Sequence, residues 1–161
     1  MEQKEMIDLL RQVASGTMDV EQAALKLKEE PFEDLGFAKI DHHRAMRQGV
    51  AEVIYGEGKT PEQIFRIAEA MKEKGQKAVL ITRMNKESAI YVGEHLELQY
   101  DEVSRIGFIG EAPIKDGDGK IVVATGGTSD IPVAEEAART AETLGNEVIR
   151  LYDVGVAGVH R

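Results

Sequence analysis

A chain of 161 residues that is 42% hydrophobic can bury a real core, as one ordinary domain or two small ones. A formal charge of -9 argues against a phosphate-tracking nucleic-acid surface, and Cys 0 excludes disulfides, thiolate metal sites and a cysteine nucleophile within these residues. No run approaches the roughly 18 apolar residues of a membrane span, and Met1 to Glu5 lack a signal peptide's apolar region, so the expectation is a soluble, cytoplasmic protein with small-molecule partners.

In chain order, Met6, Leu9, Leu10 and Val13 fall on one helical stripe that Ser15-Gly16 ends. A second helix starts at Asp19, a good N-cap with Gln22 three residues on, and carries Val20, Ala23, Ala24 and Leu27 up to Pro31. The two predict a helical hairpin whose apolar stripes read as packing, with docking as the alternative. Residues 32–40 read as a connector. It leads into Asp41-His42-His43-Arg44, Arg47 and Gln48, the most cation-bearing stretch of the chain. Adjacent histidines on extended chain point to opposite faces, so Asp41-His42-His43 is a poor metal-ligand set, and none is assigned.

Residues 50–55 predict a strand and Gly56 to Lys59 a turn. Thr60-Pro61-Glu62-Gln63 then opens a helix, with Thr60 as cap, proline at the first position and Gln63 completing a capping box. Its apolar side is Ile64, Phe65, Ile67, Ala68 and Met71, and Gly75 ends it. Residues 77–82 predict a strand parallel to the first. Residues 89–92, 96–100 and 106–109 read as further short strands of a small mixed sheet, closing a first domain over residues 1–110. The polar, turn-rich stretch 111–120 reads as a linker. Its Asp116-Gly117-Asp118-Gly119 lacks the closing glutamate of a calcium loop.

Residues 121–161 predict one βαβ unit of a doubly wound parallel sheet. Ile121 to Ala124 is an apolar strand without alternation, as expected when both faces are covered. The turn Thr125 to Asp130 delivers the chain to a helix with Val133, Ala137, Ala141 and Leu144 as its expected buried face. Residues 148–154 form the second strand, followed by a glycine-bearing loop to Arg161. Glycines at a strand-to-helix turn let backbone N–H groups approach a ligand, hydroxyls add donors and the helix dipole favours an anion, so Gly126, Gly127, Thr128 and Ser129 are candidate phosphate contacts. Asp130 is the candidate acceptor for ribose hydroxyls. The alternative is that Ser129 or Asp130 only caps the helix. Loops at the carboxyl ends of neighbouring parallel strands share a crevice, which would bring His160 and Arg161 to that turn; a structural histidine is the alternative. Arg44, Arg47 and Lys59 are candidate cations for further phosphates, against a solvated surface role.

Gly126-Gly127-Thr128-Ser129-Asp130 and Ala157-Gly158-Val159-His160-Arg161 resemble the opening of PurE, the aminoimidazole ribonucleotide carboxylase or mutase. The longer strings from Thr128 to Ala137 and from Asp153 to Arg161 are closer still to the LarB family of nickel-pincer cofactor biosynthesis. Asp41-His42-His43-Arg44, Glu52 to Gly56 and Gly58-Lys59-Thr60 also resemble LarB's N-terminal region, which PurE lacks. The resemblance implies a flavodoxin-like catalytic domain in which a glycine, serine and aspartate turn binds the nucleotide and a histidine works beside the reacting ring. It implies a carboxylase and hydrolase acting on nicotinic acid adenine dinucleotide, with carbon dioxide or bicarbonate as co-substrate, no tightly bound cofactor, Mg2+ as the ion to consider, and a homo-oligomer. The family's nucleophilic cysteine is absent here. One βαβ unit is also short of a doubly wound domain, so the source gene is expected to continue and the 161-residue chain to be inactive alone. The alternatives are a PurE-type purine carboxylase and a non-catalytic nucleotide-binding fragment.

Overall fold

The computed structural model describes residues 3–27, 32–41, 44, 52–111 and 114–158, which fall into two compact units, Met1–Glu52 and Val53–Arg161. The stretch 111–120 lies inside the second unit. No described helix is long and apolar enough to cross a membrane.

The first unit opens with α1 (Gln3–Ala14) and α2 (Val20–Leu27), packed as a hairpin through Leu9 and Ala23, which are buried. Gly16 takes positive φ at the end of α1, where glycine pays no side-chain penalty. The Asp19 carboxylate accepts from the Glu21 N–H at 3.0 Å, as a cap should. The expected connector is instead a β-hairpin of β1 (Phe32–Asp34) and β2 (Lys39–Asp41), paired antiparallel. Its turn is made by local chemistry: the Asp34 carboxylate accepts from the Gly36 N–H at 2.8 Å, Gly36 has φ 83, and the Leu35 N–H donates to the Ala38 carbonyl.

In the second unit, β3 (Val53–Tyr55), β4 (Ala78–Thr82), β5 (Leu98–Asp101) and β6 (Ile106–Gly110) form one sheet in the order β3-β4-β6-β5. β3 and β4 are parallel, joined through α3 (Pro61–Glu73), and the β4–β6 and β6–β5 pairs are antiparallel. The sheet is mixed, as its sequence predicts. Thr60 caps α3 with both arms of the capping box formed. Ile64, Ala68 and Met71 on α3 meet the core with 0% exposure, each large apolar side chain contributing about 1.5–3 kcal/mol. Residues 89–92 are helical rather than extended, within α4 (Lys86–Gly93). The Asn85 side chain accepts from the Ser88 N–H at 2.8 Å, so the cap decides the conformation of an apolar run too short to reveal its own period.

The remaining elements are β7 (Lys120–Ala124), a single 3₁₀ turn (Thr128–Asp130), α5 (Ile131–Thr143) and β8 (Glu147–Leu151). β7 and β8 pair in parallel as a separate two-stranded sheet, giving the expected βαβ unit. The chain is thus a mixed α/β protein with a helical hairpin, a small mixed sheet and one parallel βαβ unit. α5 packs on β7 and β8 and also on β4 and β6. Its buried residues are Ala134 and Ala138, whereas Val133 and Leu144 of the expected buried stripe are exposed. The small residues allow a close approach to the larger sheet, and that rotates the bulkier stripe outwards. Val122, Ile149 and Leu151, which share a face by register, are also exposed, so the sequence reading of a strand covered on both faces does not describe β7 here.

Candidate functional site

The turn between β7 and α5 is held by bonds to the chain that leaves β8. Thr125 is 5% exposed and is a node of that junction. Its N–H donates to the Leu151 carbonyl at 3.0 Å, its carbonyl accepts from Val154 at 3.1 Å, and its hydroxyl oxygen accepts from the Asp153 N–H at 3.0 Å. One residue on, the Gly126 carbonyl accepts from Gly155 at 3.0 Å. A Cβ on Gly126 would stand 2.8 Å from Val156 Cγ1, the end of an exposed side chain, so the two loops lie close together at this point. The turn after β7 and the loop after β8 are therefore tied together through Thr125 and Gly126.

Beyond Gly126 the turn opens to solvent. A side chain at Gly127 would meet only Ser129 Oγ, at 4.0 Å, and Thr128, Ser129 and Asp130 are exposed. The Thr128 and Ser129 hydroxyls make no hydrogen bond among the described residues, so they do not cap the helix. The Asp130 side chain makes no cap bond to α5 either; one of its oxygens accepts from the Gly127 N–H at 3.4 Å, bracing the turn. Gly126, Gly127, Thr128, Ser129 and Asp130 are thus brought together at the N-terminus of α5, where the helix dipole favours an anion.

The other sequence candidates lie elsewhere. His160, Arg161, Arg47, His42 and His43 fall outside the described residues. Arg44 lies in the first unit and donates from Nη1 to Glu52 at 3.0 Å. Lys59 lies on the β3–α3 loop with its ammonium 2.7 Å from the Tyr55 carbonyl. Among the described residues no group of three or more His, Asp or Glu side chains is placed to hold a metal ion.

Two charged clusters around α5 escaped the sequence reading. Arg83, at the carboxyl end of β4 with φ 54, donates from Nε to Glu136 at 2.7 Å and lies 3.9 Å from Glu57. These carboxylates hold its guanidinium further towards the charged form. On the β8 side, Arg150 donates to Glu142 at 2.6 and 3.0 Å and to Glu135 at 2.9 and 3.3 Å, while the Tyr152 hydroxyl donates to Glu135 at 2.9 Å. Hydrogen bonding from Arg150 keeps Glu142 below the usual glutamate range, and Arg139 lies 3.5–3.8 Å from Asp101, Glu135 and Glu142. Glu135, Arg139 and Glu142 are spaced i, i+4, i+7, a charged stripe legible in the sequence as one helix face. Between that stripe and the β5–β6 edge lies a cavity of about 470 Å³ lined by Tyr100, Asp101, Ile106, Phe108, Lys115 and Arg139, among others.

Comparison with known proteins agrees with this architecture. Residues 32–111 match the LarB/PurE-like N-terminal domain. An uncharacterized protein of Methanocaldococcus jannaschii is 32% identical over 165 residues, covering 98% of this chain and 64% of that protein, so the chain spans somewhat under two thirds of the relative's length. The similarity to the LarB/PurE-like N-terminal domain thus covers 80 of the chain's 161 residues.

Proposed function

We propose that the complete protein carboxylates the pyridinium ring of nicotinic acid adenine dinucleotide and hydrolyses its phosphoanhydride, releasing AMP and a dicarboxylated pyridinium mononucleotide. The observation that carries this reading is the open Gly126-to-Asp130 turn at the N-terminus of α5, tied to the 153–156 loop, in a chain whose residues 32–111 match the LarB/PurE-like N-terminal domain. In it, the backbone of Gly126 and Gly127 and the hydroxyls of Thr128 and Ser129 receive a phosphate, and Asp130 accepts from ribose hydroxyls. Arg161 contributes a cation, with Arg44, Arg47 and Lys59 as further phosphate contacts.

A pyridinium ring is electron-poor and does not attack carbon dioxide until a nucleophile adds to it and enriches the neighbouring carbon. Once the ring has bonded to carbon dioxide, His160 accepts the ring proton that the new carboxylate replaces, and the nucleophile then leaves with its bonding pair, which restores the pyridinium. These 161 residues contain no cysteine to serve as that nucleophile, so turnover draws on residues outside them and the chain alone is expected to be inactive. Carbon dioxide or bicarbonate is the co-substrate. No tightly bound cofactor is needed, Mg2+ is the ion to test, and a cytoplasmic homo-oligomer is the expected form.

The test is mass-spectrometric detection of labelled product after incubating the full-length gene product with the dinucleotide and ¹³C-bicarbonate. Asp130→Asn should raise KM, because ribose contacts are unchanged during reaction, whereas His160→Asn should lower kcat by about 10²–10⁴-fold. Absence of AMP and of labelled product from a folded protein refutes the assignment, and a near-normal kcat for His160→Asn removes the histidine from it.

A further inference from the structure

We infer that Thr125 is a positioning residue, whose hydroxyl fixes the loop after β8 against the nucleotide turn and so sets the affinity of the site; this rests on the nucleotide reading above. Asp153 sits at φ 55, a left-handed conformation that costs a residue with a Cβ, and Gly155 follows at φ 74. A bend of that kind persists only where its surroundings hold it.

What holds it is visible. The Asp153 N–H donates to Thr125 Oγ1 at 3.0 Å, and the next two bonds of the junction, Val154 to the Thr125 carbonyl and Gly155 to the Gly126 carbonyl, are backbone pairs that follow once the bend is set. The Thr125 hydroxyl is therefore a side-chain element of the lock. It is buried, so water replaces it poorly when it is removed. Gly126 is the first residue of the candidate phosphate turn, so a shift of the 153–156 loop moves one wall of the site directly against its floor. Thr125 need not touch the ligand for this to act.

Thr125→Val keeps the shape and removes the acceptor, and Thr125→Ser restores it. Two measurements on the 161-residue chain separate the possibilities: amide hydrogen exchange at Asp153 and Gly155, and calorimetric titration with nicotinic acid adenine dinucleotide. Thr125→Val should exchange roughly tenfold faster at both amides and bind roughly tenfold more weakly, the worth of one lost hydrogen bond, while Thr125→Ser stays within about twofold of wild type in both. Failure of the wild-type chain to bind the dinucleotide would overturn the nucleotide reading and the role in affinity together. Wild-type binding with equal affinity in Thr125→Val would overturn the positioning role alone, as would equal loss of affinity in Thr125→Ser. Should Thr125→Val prove unfolded by circular dichroism, Thr125→Ala with Thr125→Ser supplies the same comparison.

Discussion

Replacing Arg150 with methionine keeps most of the apolar stem on the sheet and removes the guanidinium that serves Glu135 and Glu142 together. The three side chains are 27%, 15% and 26% exposed, so the cluster lies between the surface and buried regimes. Exposed pairs contribute about 0.2–1 kcal/mol each, whereas removing one partner of a buried pair costs about 3–5 kcal/mol because the remaining charge stays unpaired. Four hydrogen bonds are lost, but Arg139, 3.7–3.8 Å from both carboxylates, can move in as partial replacement. The expected cost is about 2 kcal/mol at pH 7, a fall in Tm of about 4–8 °C for a chain of 161 residues. The sign with pH is fixed: Arg150 lowers the folded pKa of Glu142, so the stabilisation is present above the ordinary value of 4.5 and lost as pH falls through the folded value. Urea denaturation followed by circular dichroism at pH 7 and again well below pH 4.5 should show the gap between wild type and variant narrowing. A loss below about 0.5 kcal/mol at pH 7, or a gap that widens in acid, would refute the clamp.

Two further changes test local parts of the frame. Thr60→Ala removes the α3 cap and should cost about 1 kcal/mol in urea midpoint analysis, with Thr60→Ser close to wild type. Gly110→Ala should cost about 3 kcal/mol or fail to fold, because φ there is 112 and a Cβ would lie 2.0 Å from the Lys77 carbonyl oxygen; a thermal shift under 2 °C would contradict it.

Legibility followed the range of the interaction that decides each element. The capping box at Thr60 and Gln63, the stop near Gly75 and the strands β3, β4 and β6 are set by neighbouring residues, and each is readable in the sequence. The strand, turn, helix, strand order from β7 to β8 was likewise legible, because a parallel pair needs a crossover; the expected approach of His160 and Arg161 to the turn falls outside the described residues. Residues 89–92 were misread because four apolar residues carry too little period to distinguish a strand from a helix, and the deciding group, Asn85, lies outside the run. The β1–β2 hairpin was missed for a similar reason: its signal is the Asp34 to Gly36 turn, flanked by only three residues on each side. The face that α5 buries could not be read locally, since two apolar stripes compete and only the larger sheet selects Ala134 and Ala138.

The same helix connects the misread and the well-read parts of the chain. Its first turn carries the candidate anion site, its small residues lie against β4 and β6, and its charged stripe grips β8 through Arg150. The turn from Gly126 to Asp130 is therefore fixed at two points, through Thr125 to the loop after β8 and through Glu135 and Glu142 to β8 itself. These constraints act on the same strand: Arg150 lies in β8, and Asp153 lies two residues beyond that strand's end. Loss of the Arg150 clamp should then loosen the junction as well as the fold, so Arg150→Met should accelerate amide exchange at Asp153 and Gly155 under conditions where the protein remains folded. Thr125→Val should leave the Arg150 cluster in place, because its effect is confined to the loop. That asymmetry separates a scaffold residue from a positioning residue by their reach, with the strand as the scaffold and the threonine as the local tie.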